Sequence, residues 1–357
     1  MNNKWLRVAL SALSLALAVA LVVYLPWIVH TLTGAKVSWH EIGREFGRLS
    51  WHTVLLMTVL WLASLWAYTF VMTSALPGLS HLQALTLNAA GSAVSNLLPF
   101  GGAAGVALTF GMTRGWGFAN RPIVVYTLVT GIWNSLFRFL LPAVGIAGLL
   151  IAGKATNPTV ANAGWVGAAS IVGLVAVVAA ALYWDRAAAV LSRALDGLLR
   201  LAPRRFRPAE HAASAAIDRL RRDTAEIIHR KWLGLSLGMI AFLALQCAIM
   251  ACCLVATDSY PGPAETIAVF ALSRVLTSAV ITPSGAGIME GGVAALLIGA
   301  FGQPASGATA AAILFGFWTY TIEIPWGALA LGAWSLLRRR ENRSTEDRRT
   351  PARAQTT

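Results

Sequence analysis

Six stretches of the sequence, 6–30, 51–76, 121–152, 162–184, 232–256 and 306–336, stay apolar for long enough to cross a bilayer as helices; about 20 such residues suffice. No other feature restricts the fold so tightly. Of the 357 residues 57% are hydrophobic and 12% charged, too little polar surface for a soluble domain of this size. The chain is therefore expected to be an all-α integral membrane protein, because a helix satisfies its own amides and carbonyls where water is absent. Trp5, Trp27, Trp51, Trp165, Trp184, Trp232 and Trp334 fall near the ends of these stretches, where amphipathic rings suit the interface. Lys4 and Arg7 before the first stretch resemble the start of a secretory signal, but the apolar run continues to Trp27. That is long enough to span, so it reads as a retained anchor.

The net charge of +13 is concentrated: 11 Lys and Arg residues lie between Asp185 and Lys231, and 7 more follow Leu337. Clustered basic segments mark the cytoplasmic side. The loop 185–231, the tail 338–357 and the N-terminus are accordingly placed in the cytoplasm, the spans in the cytoplasmic membrane, and no nucleic-acid partner is expected. The tail has the composition of a disordered segment. Segment 38–50 carries Trp39, Ile42 and Phe46 on one helical face and charges on another, as an interfacial helix would.

Two further apolar regions, 80–118 and 264–302, are each cut near the middle by a Pro/Gly cluster, leaving two short arms. Following the spans from a cytoplasmic N-terminus, the first region enters and leaves from the cytoplasm and the second from outside. Their sequences align at an offset of 184, pairing Pro99 with Pro283, Gly101 with Gly285, Gly102 with Ala286 and Gly115 with Gly299. The spans that follow align at 185, pairing Gly131 with Gly316, Trp133 with Trp318 and Arg138 with Glu323. Opposite topology with matching sequence is the signature of an inverted repeat. The expected organisation is a polytopic domain over 1–337 of about six full transmembrane helices plus two re-entrant hairpins, with repeats at about 51–152 and 232–336.

A break in a helix at membrane depth frees backbone groups that lipid cannot satisfy, so Pro99–Gly102 and Pro283–Gly287 should be shielded by protein or wet. Thr282 or Ser284 is placed to cap the arm that follows, whose N-terminal amides would then attract an anion. Arg138, Arg274, Glu290 and Glu323 lie within spans or hairpins. Each costs about 3 kcal/mol or more at the bilayer centre, so each should face inward with a partner. Close helix packing by the glycines and structural ion pairs are the plain alternatives. Cys247, Cys252 and Cys253 share one apolar segment and have no metal-binding spacing; the six histidines are scattered. No metal, cofactor or catalytic residue is expected.

At this point "PSGAGIME" (283–290) resembles the Pro-Gly-Gly-x-Gly-x-x-Glu signature of the lysylphosphatidylglycerol synthase transmembrane, or flippase-like, family, and "LLPFGGAAG" (97–105) resembles its first Pro/Gly motif. The resemblance extends over roughly 10–336. It carries Pro283, Gly285, Gly287 and Glu290 over as family positions, with Arg274 as the basic residue before the motif; Ser284, Arg138, Glu323, Pro99, Gly101 and Gly102, singled out above by the breaks and the buried charges, complete the candidate substrate site. Trp318 stands where the family often has an arginine. The resemblance implies transfer of a polar or polyprenyl-linked lipid with an anionic or zwitterionic headgroup between leaflets, without lipid synthesis. A membrane-embedded glycosyl- or lipid-modifying enzyme and a non-transporting partner of an envelope synthase are the competing readings.

Overall fold

The computed structural model describes residues 15–97, 101–154, 162, 165–173, 176, 212–277, 282 and 285–336. Pro99, Pro283, Ser284, most of 162–184, the loop up to 211 and the tail 338–357 lie outside the described residues. Among those described the chain is helical, without strands. In order, the helices are α1 (Leu15–Val23), α2 (Leu25–Thr33), α3 (Trp39–Gly47), α4 (Trp51–Ala75), α5 (His81–Leu97), α6 (Gly101–Gly115), α7 (Asn120–Ile151), α8 (Ala212–Ala256), α9 (Pro263–Leu276), α10 (Ile288–Gly299), α11 (Ala305–Gly316) and α12 (323–336).

Among the described residues three helices are long and apolar enough to cross a membrane: Trp51–Ala75, Asn120–Ile151 and Arg222–Ala256 within α8. A fourth crossing results if α1 and α2 count as one span bent by 63°. The bend falls where Pro26 opens α2; its ring cannot accept the preceding helical turn and it has no amide to donate. Expected span 232–256 is only the apolar part of α8, which extends back to Ala212 through the basic segment. Expected span 306–336 is not one regular helix. Between α11 and α12 the chain makes a π-helical turn, Phe317–Thr321, and the Ile322 amide donates to the Phe317 carbonyl five residues back at 3.0 Å. The regions 80–118 and 264–302 are each two short helices around a break, α5/α6 and α9/α10.

Segment 38–50 forms α3, opened by a capping box in which Ser38 accepts from the Glu41 amide and the Glu41 carboxylate accepts from the Ser38 amide. It lies on α11, with Ile42 buried and the Ser306 hydroxyl donating to Glu45 at 3.3 Å.

The centre of the bundle is the crossing of α4 and α8. Gln246 donates to the Ser64 hydroxyl at 3.1 Å, Gly238 meets Phe70 and Val71, and Gly234 meets Ser74. As one number rises the other falls, so the two helices are antiparallel. The two α8 glycines let the backbones approach where any side chain would hold them apart. Each end of the crossing has its own core. One joins Trp61, Leu65, Met250, Phe270, Met289 and Phe315; the other joins Met72, Leu87, Met112, Tyr126, Leu235 and Met239. The remaining packing is reciprocal. Gly145 of α7 lies against Ala268 and Ala271 of α9, and Gly327 of α12 lies against Ala89 and Ala93 of α5. Leu55, Val59 and Leu62 of α4 and Leu233, Leu237 and Ile240 of α8 are exposed. Apolar side chains thus face outward as well as inward, as contact with lipid requires.

Two outcomes follow from this packing. Gly145→Leu and Gly327→Leu are expected to part α7 from α9 and α12 from α5, each lowering stability by about 1–3 kcal/mol through overpacking. Gly148→Ala, with nothing within 4 Å of the added carbon, should leave the detergent-solubilised melting temperature unchanged. The start of α7 is tied to α8 by Arg121, which donates to both Asp223 oxygens at 2.6 and 2.8 Å. These bonds hold the Asp223 carboxyl below its ordinary range. A lowered folded pKa stabilises above the unfolded value, about 3.9, and that contribution is lost as pH falls through the folded value. The small stability gap between the native chain and Asp223→Asn is therefore expected at neutral pH and should close only in acid, as read by thermal unfolding at stepped pH.

Candidate functional site

Polar residues from α4, α5, α7, α9 and α12 converge on a chamber of about 250 Å³ beside the α4/α8 crossing. Its floor on α5 is a stripe, Asn88, Ser92 and Asn96, one helical turn apart and therefore on one face. Asn134 and Arg138 come from α7 at the same spacing, Arg274 and Thr277 from the end of α9, and Thr319, Tyr320 and Glu323 from the π turn and the start of α12. Leu65, Tyr68 and Phe242 close it from α4 and α8.

Within the chamber the groups are held in place. Asn96 donates to Glu323 Oε2 at 2.9 Å, and Ser92 also bonds that carboxylate. Asn134 donates to the Tyr68 hydroxyl at 2.6 Å. The Arg274 guanidinium stands 5.4 Å from the Phe270 ring and 5.6 Å from Phe315, and within electrostatic range of Arg138 and Glu323. Cation–π contact supports a desolvated guanidinium without consuming its N–H donors. Two cations and one carboxylate line the chamber, so its formal balance is positive and it favours an anion. Arg138 and Glu323, matched at the 185 offset, meet in this one space.

Glu290 does not line it. Its carboxylate is buried at 3% exposure and turns back on its own helix, accepting from the Gly287 amide at 2.7 Å and from its own amide. The N-cap of α10 is Gly287, with φ +82, and not Thr282 or Ser284. The expected anion seat at this helix start is therefore filled in part by the chain's own carboxylate, in the reciprocal manner of a capping box. Glu290 Oε1 and the Tyr320 hydroxyl both crowd Gly316, so Glu290 stands one side chain behind the chamber wall. Gly285, φ +72, comes so close to α9 that an added carbon would be 2.7 Å from the Leu276 carbonyl; Gly287 presses on Leu21 of α1. Both positions demand glycine for conformation and for space.

In the first hairpin Gly101 opens α6, and Gly102 is exposed with nothing within 4 Å of where a side chain would begin. Neither belongs to the chamber lining. Of the residues expected at the site, Arg138, Arg274 and Glu323 are brought together there. The α5 stripe, Tyr68, Asn134, Thr277, Thr319 and Tyr320 were not anticipated. The stripe carries a legible signal, uncharged polar residues at i, i+4 and i+8 in an otherwise apolar hairpin arm.

No curated protein matches the chain. The family model of the lysylphosphatidylglycerol synthase TM region matches residues 7–327, a range that includes every residue lining the chamber. The chain belongs to that family, as a multi-pass membrane protein related to lipid modification or transport.

Proposed function

We propose that the chain moves a lipid with an anionic or zwitterionic headgroup between the leaflets of the cytoplasmic membrane, receiving the headgroup in the chamber beside the α4/α8 crossing. The observation that carries this reading is a compact polar chamber with Arg138, Arg274 and Glu323 inside a bundle whose outer surface is apolar. The arginines receive the phosphate. Glu323, steadied by Asn96, faces any ammonium or hydroxyl group the headgroup carries. Glu290, Gly285 and Gly287 keep the break between α9 and α10 intact, and Pro99, Gly101, Gly102, Pro283 and Ser284 belong to the two breaks.

In this reading the protein is an inverted repeat of six spans and two re-entrant hairpins, with both termini cytoplasmic. The antiparallel α4/α8 crossing supports it: a two-fold axis in the membrane plane turns equivalent helices antiparallel, whereas an axis along the normal keeps them parallel. The reciprocal contacts of α7 with α9 and of α12 with α5 obey the same operation. The sequence has no Walker motif, so movement runs downhill or with an ion gradient.

Leaflet exchange of labelled lipids in proteoliposomes tests the reading. Purified protein should accelerate exchange of an anionic phospholipid, and Arg138→Gln or Arg274→Gln should slow it by roughly tenfold or more, the loss expected for one charge-assisted contact. Exchange no faster than in protein-free vesicles across a broad lipid panel would sink it. The topology has its own check. With Cys247, Cys252 and Cys253 replaced, a cysteine at Gly102 should react with impermeant thiol reagent only from the cytoplasm and one at Ala286 only from outside; labelling of both from one side contradicts the inverted arrangement.

A further inference from the structure

Beside the chamber, α7, α8 and α9 leave between them an apolar groove of about 620 Å³. Phe137, Leu141 and Val144 of α7, Leu243 and Cys247 of α8 and Phe270 of α9 line it. Groove and chamber share walls. Phe137 precedes Arg138, Leu243 follows Phe242, and the Arg274 guanidinium lies against the Phe270 ring. A polar group held by the two arginines is thus one side-chain layer away from a trough that offers hydrocarbon contact.

The repeat places a second groove at the matching position, between α5 and α12, and it is smaller, about 270 Å³. Thr86 there corresponds to Phe270 at the 184 offset, and Trp326 and Leu329 correspond to Leu141 and Val144 at 185. The difference has a visible cause. The Trp326 indole fills space that Leu141 leaves open, packing edge-on against Trp61 with ring centroids 5.7 Å apart, and Trp61 meets Trp318 at 6.3 Å. Two walls related by the repeat are therefore in different states.

We propose that the α7/α8/α9 groove seats a hydrocarbon chain of the lipid whose headgroup occupies the chamber, and that Trp326 closes the matching seat. The assignment rests on the headgroup reading above. The occupant is a lipid chain because the trough adjoins the charged pocket and lines itself with apolar side chains. With the basic segments cytoplasmic, the open groove lies toward the outer leaflet and the closed one toward the inner.

α7 also supplies an internal control, a groove of about 330 Å³ lined by Leu128 and Leu136 that shares no residue with the chamber. Phosphatidylglycerol bearing a photoreactive diazirine in one acyl chain is reconstituted with the full chain, irradiated, and the adducts mapped by mass spectrometry. Adducts at Phe137, Leu141, Leu243 and Cys247 should exceed those at Leu128 and Leu136 several-fold. Leu141→Trp, which copies the residue already accommodated at the matching position, should remove that excess; Trp326→Leu should raise adducts at Leu85 and Leu329. Should Leu141→Trp not fold, Trp326→Leu and the double variant Arg138→Gln/Arg274→Gln still decide. Groove adducts no more abundant than the control, or unchanged in the double variant, mean annular lipid only and overturn the proposal. Leaflet exchange on the same vesicles separates the two readings. Exchange without groove labelling overturns the chain seat alone, and arginine-dependent labelling without exchange overturns transport alone.

Discussion

Every amide and carbonyl that a helix releases inside hydrocarbon has to be satisfied by the chain itself, and this requirement organises the middle of the molecule. Each unsatisfied group there costs several kcal/mol, so a broken helix persists only inside a shell of protein. The second break is built to that rule. Glu290 takes the Gly287 amide, Gly285 and Gly287 adopt positive φ, and α1, α2 and the end of α9 crowd around them. The bent N-terminal pair thus covers the start of α10.

The same rule explains why three of the charges carried by the apolar helices are gathered in one place. Arg138, Arg274 and Glu323 come from three helices that are far apart in the chain, and each would be intolerable on the lipid face. The antiparallel crossing of α4 and α8 leaves room at its side, and α5, α7, α9 and α12 direct their hydrophilic positions into it. Burial of charge and assembly of the polar chamber are one act of packing.

Much of this was legible in the sequence. The apolar runs gave α4 and α7 nearly to the residue, and the Pro/Gly clusters located both breaks. The charges flagged three of the chamber residues, because an ionised group in a span has few places to go. The amides at the start of α10 suggested a seat for an outside anion, while the Glu290 side chain takes one of them for the helix to which it belongs. Periodicity alone cannot tell these apart, because both place a carboxylate near the same amides. The π turn is likewise invisible, because 317–321 carries no proline or glycine to mark it off from a regular span. The stripe on α5 is inconspicuous for another reason, since uncharged Asn and Ser do little to a hydropathy count.

That π turn carries a mechanical implication. A regular α-helix advances about 100° per residue, so the one residue of slack at Phe317–Thr321 sets the azimuth of everything after it. Squeezing the slack out would rotate Glu323 by about that angle away from Asn96, and Trp326 with it, since both ride on the same rigid rod. The carboxylate and the indole are geared together, and a local rewinding of five residues suffices to turn both.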